Sequence, residues 1–144
     1  MKNIVVDANI VIKWFLPEIH AVEATHLLQK NLQFLAPDLI FAEVGNILWK
    51  KTRSKELPME IATEILEDFQ RLPIITYENE SLLTAAWSIA NKYQCTVYDS
   101  LYVALARAEK CSLVTADQAL VRNLSHSPLK NTIVWVEEIE KCYN

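Results

Sequence analysis

Ile4, Val5 and Val6 form an unbroken β-branched run near the start of the chain, and Asp7 ends it abruptly. A strand with water on one side alternates apolar and polar residues. A run without alternation is covered on both faces, which is how parallel sheets are built. Asp7 then stands at the C-terminal tip of a buried strand, where open parallel sheets bind ligands. A second apolar run, Ile10–Ile12, resumes after Asn9, so Asp7 also reads as the cap of a following helix. This stretch alone leaves both readings open.

The rest of the chain repeats the alternation. Trp14–Pro17 closes a short helix, Ala21–Lys30 reads as another, and Phe34–Ala36 as a short strand. Pro37 and Asp38 are expected to start a long helix through about Lys51, since proline is harmless in a first turn and an acid suits the positive end. Pro58 opens a helix whose apolar positions Ile61, Ile65, Leu66, Phe69 and Leu72 keep a helical period. Pro73–Tyr77 reads as a strand, and Asn79 as the cap of the next helix. Cys95–Tyr98 is expected to be extended, with Asp99 leading into a helix over Ser100–Lys110. Ser112–Thr115 reads as a strand, Asp117–Leu124 as a short helix, Thr132–Val136 as a last strand and Glu137–Tyr143 as a final helical turn. The expected fold is α/β: one domain over residues 1–144, with a mainly parallel central sheet flanked by helices in three layers.

Composition removes several function classes. Gly45 is the single glycine, so neither a GxGxxG dinucleotide fingerprint nor a phosphate-cradling P-loop exists. His20, His26 and His126 share no metal-ligand spacing. Cys95, Cys111 and Cys142 are odd in number and widely spaced, which fits neither a disulfide framework nor a CxxC metal site. They point to a reducing cytoplasm. No stretch approaches the ~20 apolar residues of a membrane span, and no leader-like segment is evident. The net charge of −4 argues mildly against general affinity for nucleic acid. Setting aside four acids that could converge on one site leaves 14 acidic against 14 basic groups.

Those four acids are Asp7, Glu43, Asp99 and Asp117. Where helices run antiparallel to the strands they cover, strand C-termini and helix N-termini share one edge of the sheet. Asp7 and Asp117 follow strands, Asp99 begins a helix, and Glu43 lies about a turn and a half into another. Topology places all four on that edge without fixing their lateral distances. Asp99 and Asp117 each have an ordinary explanation as helix caps. Glu43 resists it, being an acid inside the apolar run Leu39–Trp49, and its ordinary alternative is a surface stripe with Asn46 one turn on. Gly45 beside it is expected to serve a close helix crossing. Two carboxylates ~4 Å apart repel by about 4 kcal/mol at an effective dielectric near 20. A converging set takes up protons or binds a hard cation, and oxygen-only ligands select Mg²⁺ or Mn²⁺. Such ions suit phosphodiester hydrolysis.

The segments Asp7-Ala8-Asn9, Glu43, Tyr98-Asp99-Ser100-Leu101-Tyr102-Val103-Ala104-Leu105-Ala106 and Thr115-Ala116-Asp117 resemble the motifs of PIN-domain nucleases. Their order and spacing, and the small size of the chain, most resemble the VapC-like toxin ribonucleases of toxin–antitoxin pairs. The resemblance covers essentially the whole chain, and the segment around Asp99 is its most specific part. It implies that Asp7 and Asp99 hold the principal metal ion and that Glu43 ligates or orients the attacking water. Asp117 would bind a second ion or act one shell out, with Asn9 and Thr115 as supporting polar groups. Asn9 stands where many relatives carry Ser or Thr. The resemblance further implies endonucleolytic cleavage of RNA, commonly tRNA or ribosomal RNA, inhibition by a small antitoxin protein, and a homodimer.

Three rivals remain in view. A catalytically silent PIN-like module that binds RNA or protein would have no reason to keep four acids together. An aspartate-nucleophile phosphatase would carry DxDxT where this chain has Asn9 and Val11, and a receiver-type domain would want a lysine ending a late strand. The cations available to RNA are Lys13, Lys50, Lys51, Arg53, Lys92, Arg107 and Arg122. Those at the end of the long helix also suit its dipole. Trp14 and Phe15 read as core or interface residues.

Overall fold

The computed structural model describes residues 1–143. The chain runs β1 (Lys2–Val6), α1 (Ala8–Lys13), α2 (Ala21–His26), β2 (Leu32–Pro37), α3 (Leu39–Arg53), α4 (Met59–Gln70) and β3 (Ile75–Tyr77). It continues through α5 (Asn79–Tyr93), α6 (Val97–Ala108), β4 (Ser112–Thr115), α7 (Gln118–Leu124), β5 (Ile133–Trp135) and α8 (Ile139–Cys142), with short 3-10 turns between. Among the described residues the five strands form one sheet in the order β3-β2-β1-β4-β5. Every pairing is parallel. The expected α/β architecture is what the chain adopts.

The strand order explains the apolar run that begins the chain. β1 is central, pairing Val5 with Leu35 on one side and with Leu113 on the other. Ile4, Val5 and Val6 are fully buried. From β1 the chain steps outward to β2 and β3, then returns past β1 to β4 and β5. Right-handed crossovers put α1–α4 on one face and α5–α7 on the other. The order therefore reverses between β1 and β4. At such a switch point the flanking connections leave to opposite faces and open a crevice at the strand C-termini.

Local chemistry sets several boundaries differently from expectation. Pro37 ends β2 instead of opening α3, because it pairs in register with Tyr77 of β3. Asp38 does not cap its own helix with its side chain. Its carboxylate accepts from the Asn79 N–H at 3.2 Å, and Asn79 Oδ1 accepts from the Leu39 N–H at 3.2 Å. The two helix starts thus cap each other across the β2–β3 edge. Cys95–Tyr98 is not an extended run: α6 begins at Val97, because Thr96 Oγ1 accepts from the Asp99 N–H at 3.0 Å and starts the helix earlier. Asp99 is consequently the third residue of α6.

Gly45 corrects another expectation. A Cβ there would meet nothing within 4 Å, so no helix crosses closely at this point. Trp14 is partly buried against the core, packing on Phe34 at 5.0 Å between centroids and donating from Nε1 to the Ala24 carbonyl at 2.8 Å. His20 and His26 lie 3.7 and 3.0 Å from Glu137 and Glu140, between α2 and the C-terminal segment. Cys95, Cys111 and Cys142 are free thiols. No helix among the described residues is long and apolar enough to cross a membrane.

Candidate active site

Each of the four acids is placed by an ordinary structural device. Asp7 caps α1, its Oδ1 accepting from the Ile10 N–H at 2.9 Å. Asp117 caps α7, accepting from the N–H groups of Ala119 and Leu120 at 2.9 and 3.3 Å. Asp99 sits in the first turn of α6, and Glu43 is the fifth residue of α3. Capping and clustering are not alternatives here. One cavity of about 290 Å³ is lined by Asp7, Asn9, Glu43, Asp99 and Asp117 together, with Asn46, Lys50 and Tyr102 among its other walls. It opens at the C-terminal ends of β1 and β4, on the switch point.

Two hydroxyl groups organise the carboxylates. Thr115, fully buried at the end of β4, donates from Oγ1 to Asp7 Oδ2 at 2.9 Å and accepts from the Asp117 N–H at 3.1 Å. It therefore ties the ends of the two adjacent strands. Tyr102, 2% exposed, donates from its hydroxyl to Glu43 Oε1 at 2.6 Å. Tyr102 is one helical turn beyond Asp99, so α6 delivers an acid and its neighbour's hydrogen-bond donor from one face. Asn9 is exposed beside Asp7.

The electrostatics are those of an excess of negative charge, four acids against the wall cation Lys50. Among the described residues none of the four acids has a Lys, Arg or His within ion-pair distance. Burial pushes Asp7 up to about 6, with the charges of Asp99 and Glu43 adding to the rise and the Ile10 and Thr115 hydrogen bonds opposing it. Burial also raises Asp99, helped by Asp117 and Glu43. The Tyr102 phenol is held far above its ordinary range by burial and by Glu43, so it remains a donor. As they stand, no three His, Cys, Asp or Glu side chains among the described residues close into a cage around an ion. The donors are nonetheless all oxygen, anionic and unpaired. That set fits a hard divalent cation that keeps part of its water shell and takes only a few protein ligands.

Tyr102, Asn46 and Lys50 are wall residues that the acids alone do not reveal. Their signal is periodic: Asn46 and Lys50 stand three and seven residues after Glu43, and Tyr102 three after Asp99. A larger cavity, about 640 Å³, lies at the opposite edge among Lys2, Asn3, Arg107 and Lys110, and brings together none of the four acids.

A sequence profile of the PIN domain matches residues 4–123. The chain belongs to the PIN domain family. It is 33% identical over 122 residues to Ribonuclease VapC3 of Pyrobaculum aerophilum, spanning 82% of this chain and 92% of that relative. Ribonuclease VapC3 of Mycobacterium tuberculosis is 28% identical over 84% of this chain and 87% of its own length. The PIN fold is shared with the crystal structure of PAE2754 from Pyrobaculum aerophilum, with a TM-score of 0.70, 22% identity and coverage of 96% and 86% of the two chains. It is shared also with VapBC2 from Rickettsia felis bound to a promoter DNA fragment, with a TM-score of 0.64, 16% identity and coverage of 92% and 98%. The PIN match contains all four acids, Asn9 and Thr115.

Proposed function

We propose that this PIN domain, taken as one unit over residues 1–144, is a divalent-metal-dependent endoribonuclease and the toxin of a toxin–antitoxin pair. The observation that carries the reading is the shared cavity of Asp7, Glu43, Asp99 and Asp117, four carboxylates from four elements that form no ion pair among the described residues. The names of its relatives, VapC ribonucleases, agree with it.

Asp7 and Asp99 would hold the principal Mg²⁺ or Mn²⁺, with Glu43 completing the set and Asp117 serving a second ion or the outer shell. A bound ion of this kind supplies an activated water and stabilises charge developing on a phosphoryl group. The chain's own groups do the positioning. Thr115 holds Asp7 against rotation through Oδ2, and Tyr102 holds Glu43 where it can orient the attacking water. Asn9 offers an amide donor to a phosphate oxygen. Lys50, at the cavity wall and free of carboxylate partners among the described residues, meets the negative charge of the strand being cut.

The substrate on this reading is RNA, with tRNA or ribosomal RNA as the expected targets. The partners are a cognate antitoxin protein and a second copy of the chain in a homodimer, and the compartment is the cytoplasm. The test is cleavage of RNA by the purified protein with Mg²⁺, with Mn²⁺ and with EDTA, beside Asp99→Asn, which keeps the shape and removes the charge. Metal-dependent cutting by the parent and none by the variant is the expected result. Cutting that survives both EDTA and the substitution would overturn the carboxylate mechanism. No cutting, together with no stabilisation by metal, would favour a silent binding module.

A further inference from the structure

The wall that α3 contributes to the acidic cavity continues beyond it. At about 100° and 1.5 Å per residue, Asn46, Trp49, Lys50 and Arg53 follow Glu43 as a drifting stripe along one side of the helix, over about 15 Å. All four are exposed. Asn46 and Lys50 line the acidic cavity. Trp49 and Arg53 line an adjoining cleft of about 560 Å³ together with Lys55 and Met59. The two cavities are thus joined by consecutive turns of α3.

The cations here divide into two groups. Lys51 is held by Glu18 and Glu56 at 3.4 and 3.7 Å, and Lys13 by Glu18 at 3.0 Å. These pairs fasten the end of α3 to the segment after α1. Lys50, Arg53 and Lys55 have no carboxylate within ion-pair distance among the described residues. Favourable interaction with the helix C-terminus accounts for cations in the last turn, but it does not account for the tryptophan among them. Trp49 is 53% exposed, and the Arg53 guanidinium stands 5.4 Å from its ring centroid. Unpaired cations around an exposed aromatic ring are what a single-stranded polyanion with stackable bases requires.

We propose that the Asn46–Trp49–Lys50–Arg53 stripe is the track by which a single RNA strand leaves the acidic cavity. Lys50 and Arg53 meet phosphates along it, and one base stacks on Trp49. The inference rests on the ribonuclease reading and adds to it the path and the single-stranded form of the substrate. A duplex would present no free base face to the ring.

The experiment is fluorescence anisotropy of a labelled single-stranded RNA on the Asp99→Asn protein in EDTA, over a series of KCl concentrations. Lys50→Ala with Arg53→Ala is expected to reduce the slope of log affinity against log salt by about 1.4, at ~0.7 per phosphate contact on a single strand. Trp49→Ala is expected to weaken binding about tenfold with the slope unchanged, because stacking releases no counterions. Trp49→Phe should recover most of that loss. Arg107→Ala, at the opposite edge of the sheet, should leave the slope as it was. Circular dichroism of each variant checks the fold. Cleavage by the parent together with unaltered slope and affinity in the stripe variants overturns the track alone and leaves the stripe to a protein partner. No cleavage by the parent and no binding by the Asp99→Asn protein overturns the ribonuclease reading and the track together.

Discussion

The Tyr102 hydroxyl donates a 2.6 Å hydrogen bond to Glu43 Oε1 across 59 positions of sequence, joining α6 to α3 at the floor of the acidic cavity. Among the described residues Glu43 has no cation within ion-pair distance, so this bond is what holds its carboxylate. Tyr102→Phe keeps the buried ring and removes the donor. Glu43 is only half-buried and can rehydrate, so the loss of stability is expected to stay near 1 kcal/mol in a urea titration. The cleavage rate should fall about tenfold in single-turnover assays, from misplacement of a carboxylate that must be oriented. Mn²⁺ affinity, measured by calorimetry, should weaken in parallel. An unchanged rate and affinity would reduce the contact to packing.

The raised Asp7 makes the metal-free protein pH-sensitive in a stated direction. Its folded value is about 6 against 3.8 when unperturbed, so folding favours the protonated form. The associated stability is complete below the unperturbed value and is lost as pH rises through about 6. Asp7→Asn should therefore gain on the order of 2 kcal/mol over the parent at neutral pH in EDTA, and little near pH 4. Divalent cation should reverse this, stabilising the parent by about 2.7 kcal/mol at a hundredfold excess over Kd and the variant by much less. Thermal melts at the two pH values, with EDTA and with Mn²⁺, check both halves. A variant no more stable than the parent at neutral pH would contradict the electrostatic account.

Local pattern carried the fold because it is written in contiguous residues. The runs Ile4–Val6 and Leu113–Val114 are short, apolar and buried, and alternation with helices then leaves few topologies. What local pattern missed depends on partners distant in sequence. Pro37 pairs with Tyr77, and Asp38 and Asn79 cap each other's helices across some 40 positions. The start of α6 was missed for a different reason. Val97 and Tyr98 look extended by propensity, and the Thr96 side chain that starts the helix overrides it. In the cavity, the edge shared by the four acids followed from topology. The resemblance marks Thr115 as a supporting polar group, but its bond to Asp7, like that of Tyr102 to Glu43, is reached only once strand order and helix rotation are known, because each joins a carboxylate from another element.

Thr115 offers a test of how the two strand ends are joined. Its buried hydroxyl serves Asp7 Oδ2 and the Asp117 N–H at once. Thr115→Val preserves shape and leaves a carboxylate oxygen and a backbone donor without their partner. The expected cost is about 2–3 kcal/mol, above that of an ordinary single hydrogen bond because one of the stranded groups is charged. Thr115→Ser restores the hydroxyl and should recover most of it. Urea midpoints at constant slope separate this from a change in the denatured state.

Gly45 gives the opposite sign. It sits in the interior of α3, its φ is not positive, and a Cβ would meet nothing within 4 Å. The conformational freedom of glycine in the unfolded chain is thus spent without a packing return. Gly45→Ala should stabilise the protein by about 0.5–1 kcal/mol, through helix propensity and a more restricted unfolded state. The residue lies between Glu43 and Asn46, so the same variant also reports on the site. A stabilised variant with undiminished cleavage would mean that the glycine is incidental. A stabilised variant with impaired cleavage would mean that α3 must flex where it borders the cavity, and the two outcomes are separated by measuring melting temperature and single-turnover rate on one preparation.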